Sequence, residues 1–367
     1  MALAFSPLSS SSSSATKPQT SSELTSAAMS LSLEPRCPAC DKKENLLRCQ
    51  ACKVVFYCCR DHQVDDRPNH KSACNGIKKA QKYLDDQEQE LRAFPGDWMT
   101  PANPFENAVG HFWGIHETRP YMQSRYALVE TLLKVKTRPA VQSALDHIMG
   151  MLRLCRGDNQ GVRDVVPALL LRLGKDQECY DFLKWWVTTG QERDYDWGDM
   201  DLGYLDVKDA DVFEDVDLYT REHYSLSHAV SVTLIKIRIL HDLRNLQGST
   251  VVGETALFPQ EILDNIRGKL VSTIVAGNKE VMDGKDQGPA IERLESQVAQ
   301  LYKAVKKSNK YFWPALIRPG NNLMARPHYY SHGTPEEMRL VLQYSYDSWI
   351  ETPGAIDLIR EQMDSVT

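Results

Sequence analysis

CPACDKKENLLRCQACKVVFYCCRDHQVDDRPNHKSAC, residues 37–74, carries seven of the nine cysteines of a 367-residue chain. The spacing is C-x2-C-x8-C-x2-C-x5-C-x3-H-x7-H-x3-C, through Cys37, Cys40, Cys49, Cys52, Cys58, His62, His70 and Cys74, with Cys59 left over. Two residues between paired cysteines let both thiolates reach one ion from a tight knuckle. Cys58 and His62 are four apart, as are His70 and Cys74, which places each pair on one face of a helical turn. Eight such donors suffice for two tetrahedral zinc sites. A disulfide framework is the competing reading, but it gives the interleaved histidines no role, and the N-terminus lacks a convincing secretory signal. A segment this short has almost no core, so metal binding supplies its folding free energy, roughly 10–16 kcal/mol per structural zinc. Four protein ligands per ion leave no open position for an activated water, and hydrolytic metal catalysis is not expected from this segment.

The same residues resemble the MYND zinc finger family. Its pattern runs as two CxxC knuckles, a tyrosine before the fifth cysteine, a ligand four residues on, and a closing HxxxC. The matching residues here are Cys37 to Cys40, Cys49 to Cys52, Val55, Tyr57, Cys58, His62, Gln63 and His70-Lys71-Ser72-Ala73-Cys74. The resemblance implies a cross-brace, with one zinc on Cys37, Cys40, Cys58 and His62 and the second on Cys49, Cys52, His70 and Cys74. Spacing alone does not give that pairing. Three departures stand out: His62 occupies a position where the family usually has cysteine, Cys59 replaces a common small polar residue, and Arg67 stands where many members carry tryptophan. In members that bind short proline-containing peptides, the groove uses that tryptophan and the glutamine that Gln63 resembles. The resemblance therefore marks Gln63 and Arg67 as partner-binding positions, and loss of the aromatic wall weakens docking of a proline-rich strand.

Outward from the finger the chain changes character twice. Residues 1–34 are Ser/Thr/Ala-rich with a single basic residue, Lys17, and are expected to be a disordered tail, unable to offset their ordering entropy by burial. A transit peptide is the rival reading, although Arg is missing. On the other side, residues 75–93 carry Ile77, Ala80, Tyr83, Leu84 and Leu91 as a thin apolar stripe, expected to be a solvated connecting helix. Lys78, Lys79 and Lys82 could touch nucleic acid, but an acidic half follows them, which favours a solvated face. Prolines 95, 101 and 104 then mark a boundary.

Residues 105–367 read as a mostly α domain. Helical periodicity is clear over 119–136, 139–155, 225–245, 259–277, 289–308 and 333–349. The stretch 154–186 resembles a tetratricopeptide junction: a helix ending near Leu154, a turn, a helix closed by Leu173-Gly174, and a second helix in which Cys179 takes the small-residue position and packs. A TPR-like scaffold of degenerate repeats is the expected architecture, an ordinary helical domain the runner-up. Residues 192–217 interrupt it with eleven acids against Arg193 and Lys208. They lack the ligand order of a calcium loop, so an acidic insertion on the helical surface, facing basic partners, is expected.

Function follows by elimination and resemblance. The formal charge of −6 supplies no basic field, so a nucleic-acid-binding regulator is disfavoured. No apolar run approaches the roughly 18 residues of a membrane span. Some MYND fingers sit inside SET-type lysine methyltransferases, but the catalytic segment, the Asn-His-Ser-type motif and the closing cysteine cluster of that family are missing here; only Cys155 and Cys179 follow Cys74. The motifs of nucleotide-binding, metalloprotease and serine-hydrolase sites are absent as well. Eight histidines scattered outside the finger carry no catalytic assignment. The expectation is a non-enzymatic, zinc-binding adaptor for protein partners, cytoplasmic or nuclear, since reduced thiols favour those compartments. The cysteine-rich segment itself is expected to be an appendage to the larger helical core.

Overall fold

The computed structural model describes residues 33–221, 224–255, 270–284, 286–327 and 329–364. Nearly all of the tail expected at 1–34 and most of the helix expected at 259–277 lie outside the described residues. A two-residue antiparallel ladder, β1 (Leu47–Arg48) with β2 (Phe56–Tyr57), sets Leu47 opposite Tyr57. A short helix α1 (Arg60–Asp65) follows, and then α2 (Arg67–Ala93), with a proline in its first turn. The helix expected from residue 75 thus starts at Arg67, inside the cysteine-rich segment. Pro68 accounts for this: its ring presets the helical φ, and its missing N–H is one that the first turn would leave unbonded anyway.

The remaining helices are α3 (Pro104–Asn107), α4 (Arg119–Leu132), α5 (Arg138–Leu154), α6 (Val166–Arg172), α7 (Asp176–Val187), α8 (Leu226–Thr255), α9 (Thr273–Gly277), α10 (Lys279–Asp283), α11 (Gly288–Ser308), α12 (Phe312–Ile317), α13 (Pro335–Ile350) and α14 (Ala355–Asp364). The fold is mostly helical. Successive neighbours α4, α5, α6 and α7 pack pairwise, α2 lies along α4, and α8 packs against α11, α13, α6 and α7. Between α6 and α7 the chain reverses at Gly174, whose φ of +72° suits glycine alone without strain. Cys179 on α7 is fully buried and directs its thiol to the Pro167 carbonyl at 3.5 Å, a packing position.

Helix α8 explains how the layers hold together. Between Leu226 and Leu240 it is buried on every side, as expected of a predominantly apolar helix at the centre of a fold. Its three buried charges each clamp a different segment. Lys236 donates to the carbonyls of Val212 and Glu214 at 2.6 and 3.0 Å. Arg238 donates to Asp176 Oδ1 at 2.7 Å, the Leu171 carbonyl at 2.9 Å and Thr352 Oγ1 at 3.0 Å. Asp242 accepts the backbone N–H groups of Val271 and Ser272.

The acidic segment 192–217 is tied into the body more firmly than a surface insertion. Arg156 donates to the carbonyls of Asp199, Met200 and Leu202, Asp181 accepts from the N–H groups of Asp209 and Ala210, and Val212 and Val216 are buried. Trp185 packs edge-on against Tyr195, Trp197 and Tyr204 at 5.0–6.0 Å between ring centres. The carboxylates of this segment are exposed apart from that of Glu214, which accepts from Tyr180 and Lys184, because its backbone and apolar side chains are what the body holds.

The cysteine-rich segment is not an appendage. It belongs to the same compact unit as the helices, and Val54, Val55, Tyr57, Ile77, Leu84 and Leu91 join the same buried cluster. Two links account for the difference. The 27-residue α2 carries the last cysteine and histidine of the segment into the packing against α4. Thr137, which caps α5 by accepting from Ala140 N, also donates to the Val54 carbonyl at 2.7 Å.

Candidate metal centre

The eight expected donors gather into two groups, Cys37, Cys40, Cys58 and His62 in one and Cys49, Cys52, His70 and Cys74 in the other, with ligand atoms all within 4.8 Å of one another in each. These are the two interleaved fours of a cross-brace. In the first group Cys40 Sγ lies 3.5 Å from Cys58 Sγ, and His62 Nδ1 lies 3.1 Å from Cys58 Sγ and 3.6 Å from Cys37 Sγ. In the second, Cys52 Sγ lies 3.5 Å from His70 Nε2 and Cys49 Sγ lies 3.9 Å from Cys74 Sγ. Zinc–sulfur bonds of about 2.3 Å and zinc–nitrogen bonds of about 2.0 Å set tetrahedral edges of roughly 3.3–3.8 Å, so one zinc ion fits each group.

Local folding produces the spacing. The knuckle at Cys37 turns back through Asp41 N donating to the Cys37 carbonyl at 2.8 Å, and the one at Cys49 through Lys53 N donating to the Cys49 carbonyl at 2.8 Å. Asp41 and Lys53 both take positive φ there, the left-handed turn that lets two thiols converge. His70 and Cys74 share a face of α2, as their spacing predicts. Cys58 and His62 differ from that expectation: His62 is on α1, whereas Cys58 precedes the N-cap, Cys59, which is extended at φ −155°.

Electrostatics favours a dication in each group. Burial pushes the thiols up; at Cys37 the backbone amides of Cys58 and Ala39 and the side chains of His62 and Cys40 outweigh it and hold the group down at about 6. Cys58 in the same group is pushed to about 12, by burial and by Cys40 and Cys37. Cys49 and Cys52 repeat the contrast, at about 6 and about 12. Thiolates this close cannot all be charged side by side, and a central divalent cation removes the conflict. Four protein donors each make these closed, structural sites, in which zinc would supply folding free energy.

The two groups differ in shelter. All four residues of the second are buried, whereas Cys40 is exposed and Cys58 and His62 are half-buried. Tyr57 braces the space between them: its hydroxyl donates to Asp66 Oδ2 at 2.7 Å, and its ring meets His70 edge-on at 6.0 Å. The bracing role of Asp66 went unread in the sequence; the Asp-Arg-Pro run at a helix start was the signal available. Gln63 lies half-buried on α1, accepting from Arg60 at 2.8 Å, and Arg67 is exposed at the first position of α2. Leu47 and Val64 expose apolar side chains on the same finger. Cys59 stays outside both groups, with its sulfur 4.0 Å from that of Cys58.

Comparison with known proteins agrees with this geometry. Residues 37–74 match the MYND finger family. A stretch of 44 residues, 12% of this chain, is 50% identical to Egl nine homolog 1 of Homo sapiens and covers 10% of that protein. A stretch of 56 residues, 15% of the chain, is 41% identical to the Rho GTPase-activating protein gacZ of Dictyostelium discoideum and covers 5% of it. The chain therefore spans a tenth or less of the length of these relatives, and the likeness is one of the finger. No solved structure matches the chain. No helix among the described residues is long and apolar enough to cross a membrane.

Proposed function

We propose that this protein is a non-catalytic adaptor that recognises protein partners through its MYND finger, held on a helical scaffold. MYND fingers generally mediate protein–protein interaction. The observation that carries the reading is the pair of closed donor groups, each with four protein ligands. Such sites shape a surface and leave no coordination position for a substrate. The recognition surface assigned here is Gln63 and Arg67, together with the apolar Leu47 and Val64 exposed on the same finger. The TPR-like reading of the α5–α7 region supports a scaffold role for the helices, and the outward carboxylates of 192–217 suit basic partners. Cytosol or nucleus is the compartment proposed, where reduced thiols persist.

The test is affinity purification with mass spectrometry, comparing wild type with a Gln63→Ala/Arg67→Ala variant shown to retain two zincs. Partners that vanish with the variant support the finger as recognition surface. An unchanged partner set moves the adaptor role to the helices. S-adenosylmethionine binding by calorimetry tests the methyltransferase alternative, and its detection would overturn the non-catalytic reading.

A further inference from the structure

A cavity of about 590 Å³ opens where α8 begins, between the end of α7, the turn at Val162–Asp164 and α13. That volume lies in the range of small-molecule sites, about 300–1,000 Å³. Its floor is unusual in what it leaves unsatisfied. His228, 2% exposed, has no protein partner for Nε2, and the Asp164 carboxylate oxygen facing it is 3.6 Å away, beyond a hydrogen bond. The Tyr224 hydroxyl and Gln160 Oε1, on the same lining, are likewise without protein partners.

Charge defines what is missing. Burial holds the His228 imidazole down at about 4, against the opposing pull of Asp164, so the ring is neutral at pH 7. Asp164 accepts from Ser225 Oγ at 2.9 Å, and among the described residues its one ion-pairing neighbour is that neutral ring. A partly exposed carboxylate with no charged partner, on a cavity wall, calls for a ligand with N–H donors. The rings of Trp186, Tyr330 and Tyr344 line the same space. Aromatic faces beside a carboxylate suit an ammonium group and an apolar body.

The rim carries the opposite charge. Arg221 is exposed there and pairs with no carboxylate among the described residues. Arg163 is already engaged, with its guanidinium over the Trp186 ring at 4.6 Å and its Nε 4.0 Å from Asp158. A phosphate at the start of α8 is disfavoured, because Asp164 already sits against Ser225 at that helix end. We propose that the cavity binds a free amino acid with an aromatic or large apolar side chain. Its ammonium group sits on the partly exposed Asp164 carboxylate, its carboxylate meets Arg221, and its side chain lies against the aromatic walls.

The test is isothermal titration calorimetry of the full-length, zinc-loaded protein with three probes: L-phenylalanine, L-phenylalaninamide and N-acetyl-L-phenylalanine. Phenylalanine should bind, and the acetylated probe, which has no ammonium, should bind at least tenfold more weakly. Asp164→Asn should weaken phenylalanine at least tenfold. Arg221→Gln, a change at an exposed rim position, should weaken phenylalanine severalfold and leave phenylalaninamide unchanged. Absence of phenylalanine binding, equal binding of the acetylated probe, or indifference of phenylalanine to Arg221→Gln overturns the proposal. If Asp164→Asn fails to fold, the probe series and Arg221→Gln still decide it.

Discussion

Thr137 donates its hydroxyl to the carbonyl of Val54 across 83 residues of sequence, at 2.7 Å, and so fastens the finger to the start of α5. The same oxygen accepts from Ala140 N and caps that helix. Thr137→Ala removes both interactions and should lower stability by about 1–2 kcal/mol, read by thermal or urea unfolding. Thr137→Ser should recover most of the loss. Hydrogen exchange should quicken in the 49–57 segment in the alanine variant, and equal rates there would refute the fastening.

The two donor groups should not behave alike. The exposed one, at Cys40, should surrender its zinc first to a chromogenic chelator, giving release in two phases; a single phase would contradict the difference in shelter. Cys40→Ser should keep one zinc and a nearly unchanged melting of the helices. Cys74→Ser breaks a ligand on α2, so it should lower the unfolding midpoint of the helical body as well as the zinc count.

Arg238 and Asp176 form a buried pair, 4% and 0% exposed, that joins α8 to α7. Arg238→Met leaves Asp176 charged and unpaired and should cost about 3–5 kcal/mol. Adding Asp176→Leu to that variant should restore much of the loss, since two apolar side chains remove the stranded charge. Denaturant unfolding of the two single variants and the double variant measures the coupling.

His228 gives acid sensitivity with a definite sign. Its folded-state value is depressed from 6.5 to about 4, so between those values the unfolded chain binds more protons. Stability should therefore be lost as pH falls from about 6.5 to about 4, by up to roughly 3 kcal/mol. His228→Gln should flatten this part of the profile. A slope unchanged by the substitution would assign the acid sensitivity to other groups.

The donor groups were largely legible in the sequence because metal spacing is dictated by bond lengths over a few residues. The pairing needed resemblance, since the knuckle at 49 is nearer in sequence to Cys58 and His62 than the knuckle at 37 that joins them. The helices of the body could be read from periodicity, and the reversal at Gly174 from the residue itself. Lys236, Arg238 and Asp242 could not be read as core, because three charges in an apolar run carry no label of their distant backbone partners. The acidic segment misled for a related reason. Its carboxylates dominate the composition, but Val212, Val216, Trp197 and the carbonyls that Arg156 and Lys236 hold decide where it lies. The cavity at His228 was illegible because four separate segments build it.

Because α2 runs unbroken from zinc ligands His70 and Cys74 to the buried Ile77 and Leu84, the finger has a rotational phase relative to the body. One residue inserted between Cys74 and Ile77 would turn the finger by about 100° and raise it by about 1.5 Å, while the rest of α2 stayed seated. A finger borrowed from another protein must therefore match not only the ligand pattern but also the helical angle at which it is joined. On the proposed reading, a partner gripped by the finger would meet the helices with its bearing already set.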